Sequence, residues 1–343
     1  MRHFLSDNSA AVHPEVMAAL TRANHEHAAA YGDDAVTGRV LALFQRHFGE
    51  HARAQLVFGG TGANVVGLAA VMQPFEAIVC SANSHLWMDE CGAPERFLGS
   101  KLIAVAPTSG KLRPEDIEPH LRCHTGVHGV RPKVVSITQA TEWGTVYSVE
   151  ETRALAEMAH DAGLLLHVDG ARLANAAAHL DCSLRALTTD AGVDLLSFGG
   201  AKNGLMFGEA VVILAEGLAP DLDRCCKQAM QLASKMRFMA AQFEALLTGD
   251  LWLRNARRAN AMAQRLAEAL GTGVELAAPV QTNVLFARVR PEDVAPLQAE
   301  RAFYMWDPAD TTVRWMTAWD TEEADVDAFA AAVLARGGYS TSV

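Results

Sequence analysis

A single lysine of this chain lies where lysines are uncommon. Lys202 is found in the glycine-rich segment FGGAKNG, between two apolar runs that are predicted to be buried strands. Burying an unpaired ammonium group is unfavourable and favours the neutral amine. A loop lysine that points into water is the simpler interpretation. The alternative is an amine that acts as a nucleophile.

An acid and an arginine follow a second apolar run. Asp169 ends the segment LLLHVD, and Arg172 comes three residues later in HVDGAR. A carboxylate at the end of a buried strand needs a cation or an N–H donor nearby, and Arg172 could supply one. Taken alone, the motif is equally typical of a simple ion pair or a helix cap.

A glycine-rich turn opens the predicted helix after the segment QLVF. In FGGTGANVVG, Gly60 and Thr61 could offer backbone N–H groups and a hydroxyl to a phosphate. A dinucleotide fingerprint would have glycine at the position of Val65, and a P-loop would add a lysine. The motif therefore favours a single phosphate monoester, with a structural turn as the alternative.

Together these three motifs describe one kind of chemistry. Lys202 lies 33 residues after Asp169. A phosphate cradle, an acid that can pair with a ring N–H and a lysine that can form an imine are what pyridoxal phosphate (PLP) chemistry requires of a protein. We therefore predict PLP as the cofactor.

The surrounding elements would bring these residues to one edge of a sheet. Seven short apolar segments are predicted to be strands, namely 55–58, 77–80, 101–106, 133–138, 164–169, 193–198 and 209–214. Helical segments separate them, and one of these begins with a capping box at Ser148 and Glu151. This pattern predicts an α/β fold with a mostly parallel seven-stranded sheet between helices. Ligands bind such sheets at the carboxyl ends of the strands.

The last quarter of the chain changes character. Two helices are predicted over 221–248 and 252–270, followed by strands at 284–289 and 313–320 and by a final helix. We predict a large domain over residues 1–250 and a smaller α+β domain over 251–343.

Composition excludes several classes of protein. The 343 residues carry a net charge of −11, which argues against a nucleic-acid backbone as the partner. No apolar run approaches the length of a membrane span, and Asp7 interrupts any secretion signal. The six cysteines lack paired spacing, which favours reduced thiols and a cytoplasmic location. The histidines of 120–128 match no standard metal-site spacing, so no metal is expected.

Across nearly its whole length the sequence resembles one enzyme family. The resembling segments are SDN (6–8), YGDD (31–34), GTGAN (60–64), SHLWMDECGAPE (84–95), TQATEWGTVY (138–147), HVDGAR (167–172), FGGAKNG (198–204), LASKMRF (232–238) and VRWMTAWDTEE (313–323). They are similar to those of the low-specificity L-threonine aldolases, which are PLP-dependent enzymes of fold type I. The resemblance implies retro-aldol cleavage of threonine, allo-threonine and related β-hydroxy-α-amino acids, including phenylserine-type substrates, to glycine and an aldehyde.

The resemblance also implies roles for residues around the cofactor. Lys202 would hold PLP covalently, and Asp169 would keep the ring nitrogen protonated. His85 would stack on the ring and help to move the proton of the substrate hydroxyl. Gly60 and Thr61 would bind the phosphate.

Further residues would contact the substrate or a second subunit. Ser6, Arg172 and Arg314 would hold the substrate carboxylate, and Arg172 would also lie near the phenolic oxygen of the cofactor. Arg237 would reach the phosphate of a neighbouring subunit, accompanied by either Lys227 or Lys235. The family pattern implies a homotetramer, a dimer of dimers with shared active sites.

Two departures from the family pattern bear on the chemistry. Many relatives have a histidine where this chain has Glu142, which makes Glu142 a second candidate base beside His85. Ala201 stands where many relatives have a serine. Another PLP reaction on the same scaffold, β-elimination or racemisation, is the alternative function. A nucleotide-dependent enzyme or a non-catalytic binding protein is a more distant one.

Overall fold

The computed structural model of the protein describes residues 2–122 and 126–336. Its α-helices are α1 Pro14–Ala23, α2 Ala35–Phe48, α3 Gly60–Ala69, α4 His85–Met88, α5 Ala93–Leu98, α6 Pro114–Arg122, α7 Val149–Asp161, α8 Leu173–Leu180, α9 Leu222–Gln228, α10 Met236–Leu247, α11 Leu251–Leu270, α12 Pro291–Glu300 and α13 Glu323–Leu334. Its strands are β1 Arg53–Val57, β2 Glu76–Ser81, β3 Lys101–Val105, β4 Arg131–Thr138, β5 Leu165–Gly170, β6 Leu195–Gly199, β7 Glu209–Ile213, β8 Glu275–Leu276, β9 Val284–Arg288, β10 Tyr304–Asp307 and β11 Thr312–Met316.

The first seven strands form one sheet with the order β1-β7-β6-β5-β4-β2-β3. Only β7 runs against its neighbours in this sheet, because β1–β7 and β6–β7 are its antiparallel pairs. The predicted seven-stranded, mostly parallel sheet is therefore confirmed, and all seven predicted segments overlap a strand.

Alternate residues of the central strands enter different cores. On β6, Leu195 packs with α3 and α9, while its neighbour Leu196 packs in the larger core on the other face. Val211 and Val212 of β7 divide in the same way. Both faces of the sheet are thus covered by helices, which explains why the strands read as continuous apolar runs.

The second sheet is antiparallel and has the order β10-β11-β9-β8. Its core contains Trp315 and Phe329, and Phe4 from the start of the chain packs against Phe329 with ring centroids 4.8 Å apart. The division at residue 250 stays a prediction.

The sequence predicts one helix start correctly and two element boundaries incorrectly. The capping box at Ser148 and Glu151 is confirmed. The single helix predicted over 221–248 is wrong, because two helices, α9 and α10, flank an irregular segment at 229–235 in which Met230 has a φ of 63°. The strand predicted over 313–320 ends at Met316, because residues 318–321 form a turn in which the N–H of Ala318 donates to Oγ1 of Thr321 and the N–H of Thr321 donates to the carbonyl of Ala318.

Membrane-spanning helices and metal sites are two further features that the described residues can be examined for. None of the helices that the structure describes is long and apolar enough to cross a membrane. No group of three or more histidine, cysteine, aspartate or glutamate side chains is arranged for a metal within the described ranges. Part of the histidine-rich segment, residues 123–125, lies outside those ranges.

Candidate active site

Strand register brings the candidate residues to one edge of the large sheet. Gly199, at the end of β6, pairs with Glu209 of β7, which in turn pairs with Val57 at the end of β1. Asp169 of β5 pairs with Thr138 at the end of β4. The turns after β1, β2, β4, β5 and β6 therefore meet at this edge, and they carry Gly60, His85, Glu142, Arg172 and Lys202.

One half of the site is built from acids that share an amide. Nδ2 of Asn64 donates to Oδ2 of Asp169 at 2.9 Å and to Oε1 of Glu90 at 2.8 Å. The same Oε1 lies 3.0 Å from Nδ1 of His85. These four side chains form the acidic half of the site. Asp169 therefore takes its N–H donors from Asn64 and, at 3.2 Å, from the backbone of Ala171, and not from Arg172 as the sequence suggested.

The backbone after α4 turns Glu90 inward. Cys91 and Gly92 have left-handed φ values of 52° and 69°, so the chain reverses before α5 begins. The side chain of Glu90 is fully buried as a result, while that of His85 remains 36% exposed. The hydrogen bond that His85 donates to Glu90 raises the pKa of His85 even though burial acts in the opposite direction, and Asp169 and Glu142 add to the rise.

Lys202 lies on a short 3₁₀ turn, Ala201–Asn203, and a buried acid, Glu209, binds the backbone just before this turn. Oε2 of Glu209 accepts from the backbone N–H of Gly200 at 2.6 Å. Burial raises the pKa of Glu209 to about 7, against the opposing effect of Lys202. Within the described residues the amine of Lys202 makes no hydrogen bond or ion pair, so it remains available.

Helix α3 begins at this edge with an uncapped end. Among the described residues, no side chain caps the first turn that contains Gly60 and Thr61. A Cβ on Gly60 would meet open space, whereas one on Gly62 would lie 2.5 Å from Oε1 of Gln231. The free N–H groups of this turn are suited to an anion.

The other half of the site combines Arg172 with residues from both ends of the chain and is called the arginine half. Arg172 makes a two-pronged pair with Asp7, from Nε at 2.7 Å and from an Nη at 2.9 Å. Asn283 donates to the same carboxylate at 3.1 Å. Burial alone would raise the pKa of Asp7, but the Arg172 guanidinium holds it below its ordinary value.

Arg314 completes the arginine half and is less engaged than Arg172. One of its Nη atoms donates to the carbonyl of Leu5 at 3.2 Å, while its buried Nε has no partner in the described part of the chain. The guanidinium lies over the rings of Tyr304 and Trp306, at 5.2 and 5.5 Å from their centroids. Burial and the nearby Arg172 lower the pKa of Arg314.

Glu142 and Ser6 lie between these groups. Burial raises the pKa of Glu142, and its electrostatic neighbours include Arg172, Asp169 and Lys202. None of the described residues forms a hydrogen bond or ion pair with its carboxylate. Oγ of Ser6 accepts from the backbone of Asn8 at 3.1 Å, which caps the 3₁₀ turn that carries Asp7.

Aromatic side chains continue from Glu142 to Arg314. Trp143 packs on Phe286 and Trp306, with ring centroids 4.8 and 5.6 Å away. Trp87, on α4 with His85, is 46% exposed.

The residues predicted to serve a second subunit lie away from this edge within one chain. Arg237 donates to the carbonyl of Glu26 at 3.1 Å. Lys227 stacks over Tyr31 at 5.1 Å, and Lys235 precedes α10. Their predicted roles stay predictions.

Five polar side chains of this edge were not predicted, namely Asp7, Asn64, Glu90, Glu209 and Asn283. The sequence marks Asp7 only as an interruption of a signal peptide and as part of the SDN segment. Asn64 lies one turn into an apolar helix, where the carboxylates it bridges are 26 and 105 residues away along the chain. The signal that could have identified Glu209 is its position, an acid at the head of an apolar strand.

Comparisons with known proteins agree with this geometry. The beta-eliminating lyase family model matches residues 3–291. A low specificity L-threonine aldolase from Pseudomonas sp. (strain NCIMB 10558) is 42% identical over 337 residues, which cover 97% of each protein. One from Pseudomonas aeruginosa is 42% identical over 94% of each protein. The structure of threonine aldolase from Leishmania major superposes with a TM-score of 0.92 at 32% identity, over 98% of this chain and 99% of that one. The chain belongs to the beta-eliminating lyase family, in the branch that contains the low specificity L-threonine aldolases.

Proposed function

We propose that this protein is a PLP-dependent aldehyde-lyase that cleaves L-threonine, L-allo-threonine and related β-hydroxy-α-amino acids to glycine and an aldehyde. The observation that carries the proposal is the shared sheet edge. An unengaged lysine, a strand-end carboxylate and an uncapped helix N-terminus meet there beside two arginines.

The residues present fit the cofactor. The amine of Lys202 is the covalent anchor, the carboxylate of Asp169 is the partner for a ring N–H, and the first turn of α3 with Thr61 is the phosphate site. When bound, PLP supplies an electron-accepting ring that makes bonds to the substrate Cα easier to break.

The arginine half would hold the substrate by its carboxylate. Arg314 has an N–H without a partner among the described residues, and Arg172 and Ser6 line the same region. A fixed carboxylate orients the Cα–Cβ bond, and orientation selects which bond breaks.

His85 and Glu142 are the two candidates to take the proton from the substrate hydroxyl. A general base must be deprotonated at the operating pH and must lie within hydrogen-bond reach of the proton that it removes. The raised pKa of Glu142, caused first by burial, makes its carboxylate a stronger base than an exposed glutamate.

Assembly and location are further parts of the proposal. We infer a homotetramer with shared active sites from the resemblance to the L-threonine aldolases; in it Arg237, with Lys227 or Lys235, would reach the phosphate of a neighbouring subunit. A cytoplasmic location is consistent with the free thiols of the five described cysteines.

Product analysis tests the reaction. The purified protein should convert L-threonine to equal amounts of glycine and acetaldehyde, and should also cleave L-allo-threonine and phenylserine. Lys202→Ala should abolish the reaction, while Lys101→Ala, at the exposed start of β3, should retain it. Release of ammonia and an oxo-acid would favour β-elimination, and normal turnover by Lys202→Ala would overturn the proposal.

A further inference from the structure

Asn64 bridges two buried carboxylates that approach from different elements. Its orientation is fixed chemically, because ionised carboxylates can only accept and the Nδ2 group is the only donor on the side chain. One N–H reaches Asp169, at the end of β5, and the other reaches Glu90, between α4 and α5. A single amide therefore connects two acids that lie far apart along the chain.

Glu90 also fixes the proton of His85. Because its carboxylate accepts, the Nδ1 atom of His85 at 3.0 Å must carry hydrogen. The other ring nitrogen, Nε2, is then the one that can gain or lose a proton. The charged groups that face the ring are Glu90, Asp169 and Glu142.

This arrangement is not optimal for stability. Oε2 of Glu90 and Oδ1 of Asn64 are buried and have no hydrogen-bond partner among the described residues. A buried polar atom without a hydrogen-bond partner destabilises the folded protein. Such groups in a native protein call for an explanation beyond packing.

We propose that Glu90 is a positioning residue for His85, and that Asn64 ties this pair to Asp169. Glu90 holds hydrogen on Nδ1, sets the plane of the ring and leaves Nε2 as the atom that exchanges a proton. Asn64 keeps Glu90 and Asp169 at a fixed separation. The raised pKa of His85 follows from the same hydrogen bond.

The inference rests on the proposed function only in one respect, namely that His85 exchanges a proton with the substrate hydroxyl. Its test is a property of His85 itself, the pH dependence of acylation by diethyl pyrocarbonate, which attacks neutral imidazole. Peptide mass spectrometry resolves each histidine, both in the protein as purified and in the protein loaded with PLP.

Glu90→Gln removes the charge and keeps the shape of the side chain. The midpoint of His85 acylation should move to lower pH by about one unit or more, since a nearby opposite charge typically shifts a pKa by 1–3 units. The acid limb of the kcat/KM profile should move in the same direction. Glu90→Asp withdraws the carboxylate by one methylene and should shift the midpoint by part of that amount.

Matched controls separate positioning from general damage. Glu76→Gln removes a second buried carboxylate, at the opposite end of the strand that leads to His85, where it accepts from Arg131. It should leave the His85 midpoint unchanged, and His160 should acylate identically in all the proteins. A His85 midpoint that stays at the wild-type value in folded Glu90→Gln or Glu90→Asp overturns the inference. Absence of lyase activity in the wild type would overturn the proposed function and leave this result standing.

Discussion

The two halves of the site are held together in opposite ways. In the acidic half, one amide supplies hydrogen bonds to two carboxylates, and Lys202 is left without a partner among the described residues. In the arginine half, Asp7 neutralises Arg172 through two hydrogen bonds, while Arg314 keeps an unpartnered Nε within the described structure. Each half thus contains hydrogen-bonded acids and lies beside a cation that is free to bind a ligand, the amine of Lys202 in one case and the guanidinium of Arg314 in the other.

The comparison distinguishes two arginines that the sequence treated as equivalent. Arg172 and Asp7 have side chains that are 11% and 1% exposed and form a buried pair. Arg314 lies beside them with fewer polar contacts. We therefore expect Arg172 to matter first for the stability of the site and Arg314 to matter first for substrate binding.

Arg172→Ala should have the largest effect on stability. It would leave the carboxylate of Asp7 buried and unpaired, and breaking a buried pair in this way typically costs about 3–5 kcal/mol. Urea denaturation measures the loss. Arg185→Ala removes an exposed pair with Asp190 and should cost about 1 kcal/mol or less. Equal losses in the two variants would contradict a stabilising role for the buried pair of Arg172 and Asp7.

Asn64→Asp should break the acidic half in a pH-dependent way. The variant replaces the bridging amide by a third carboxylate between Asp169 and Glu90, and like charges at this distance cannot all remain ionised. We expect a loss of about 3 kcal/mol in unfolding free energy at pH 8 and a smaller loss at pH 5.

Asn260→Asp is the matched control for that variant, because Asn260 exchanges hydrogen bonds with another asparagine, Asn175. Its effect should not depend on pH. A loss in Asn64→Asp that is the same at pH 5 and pH 8 would count against the bridging role of Asn64.

Arg314→Ala should raise KM for the amino acid while changing kcat less. A hydrogen bond to a charged group contributes about 1.5–3 kcal/mol, which corresponds to roughly a 10- to 150-fold weaker substrate complex. Steady-state kinetics measures the two constants. Arg288→Ala, on the adjacent strand β9 and paired with Asp310, should leave KM unchanged. A fall in kcat alone would assign Arg314 another role.

Glu209→Gln should change how stability varies with pH. The folded protein holds the Glu209 proton up to about pH 7, whereas the unfolded chain releases it at its ordinary, lower value. The stabilisation from this proton is therefore complete at low pH and is lost as pH rises toward 7.

The glutamine variant has no such loss, so its stability relative to wild type should increase between pH 5 and pH 8. Each pKa unit corresponds to about 1.4 kcal/mol, and we expect a relative change of about 1–3 kcal/mol by urea denaturation. Glu216→Gln, on the exposed turn after β7, should follow the wild type. A constant difference between Glu209→Gln and wild type would rule out a proton on Glu209.

The sequence predicts the large sheet well, because both of its faces are covered and its strands are continuous apolar runs. It also singles out Lys202, Asp169 and His85, which lie at the end of a strand or within a few residues after one. It does not predict the partners of these residues. Asp7 and Arg172 are 165 positions apart, and no spacing rule connects them. The break at Met230 escaped prediction because a left-handed residue there carries no glycine signal.

The central claim is that Lys202 anchors the cofactor at this sheet edge. The most direct measurement is borohydride reduction of the protein loaded with PLP, followed by digestion and peptide mass spectrometry. We expect a reduced pyridoxyl phosphate adduct on the peptide that contains Lys202, with loss of the visible absorbance band and of threonine cleavage. An adduct on Lys227, Lys235 or another lysine, or no adduct at all, would contradict it.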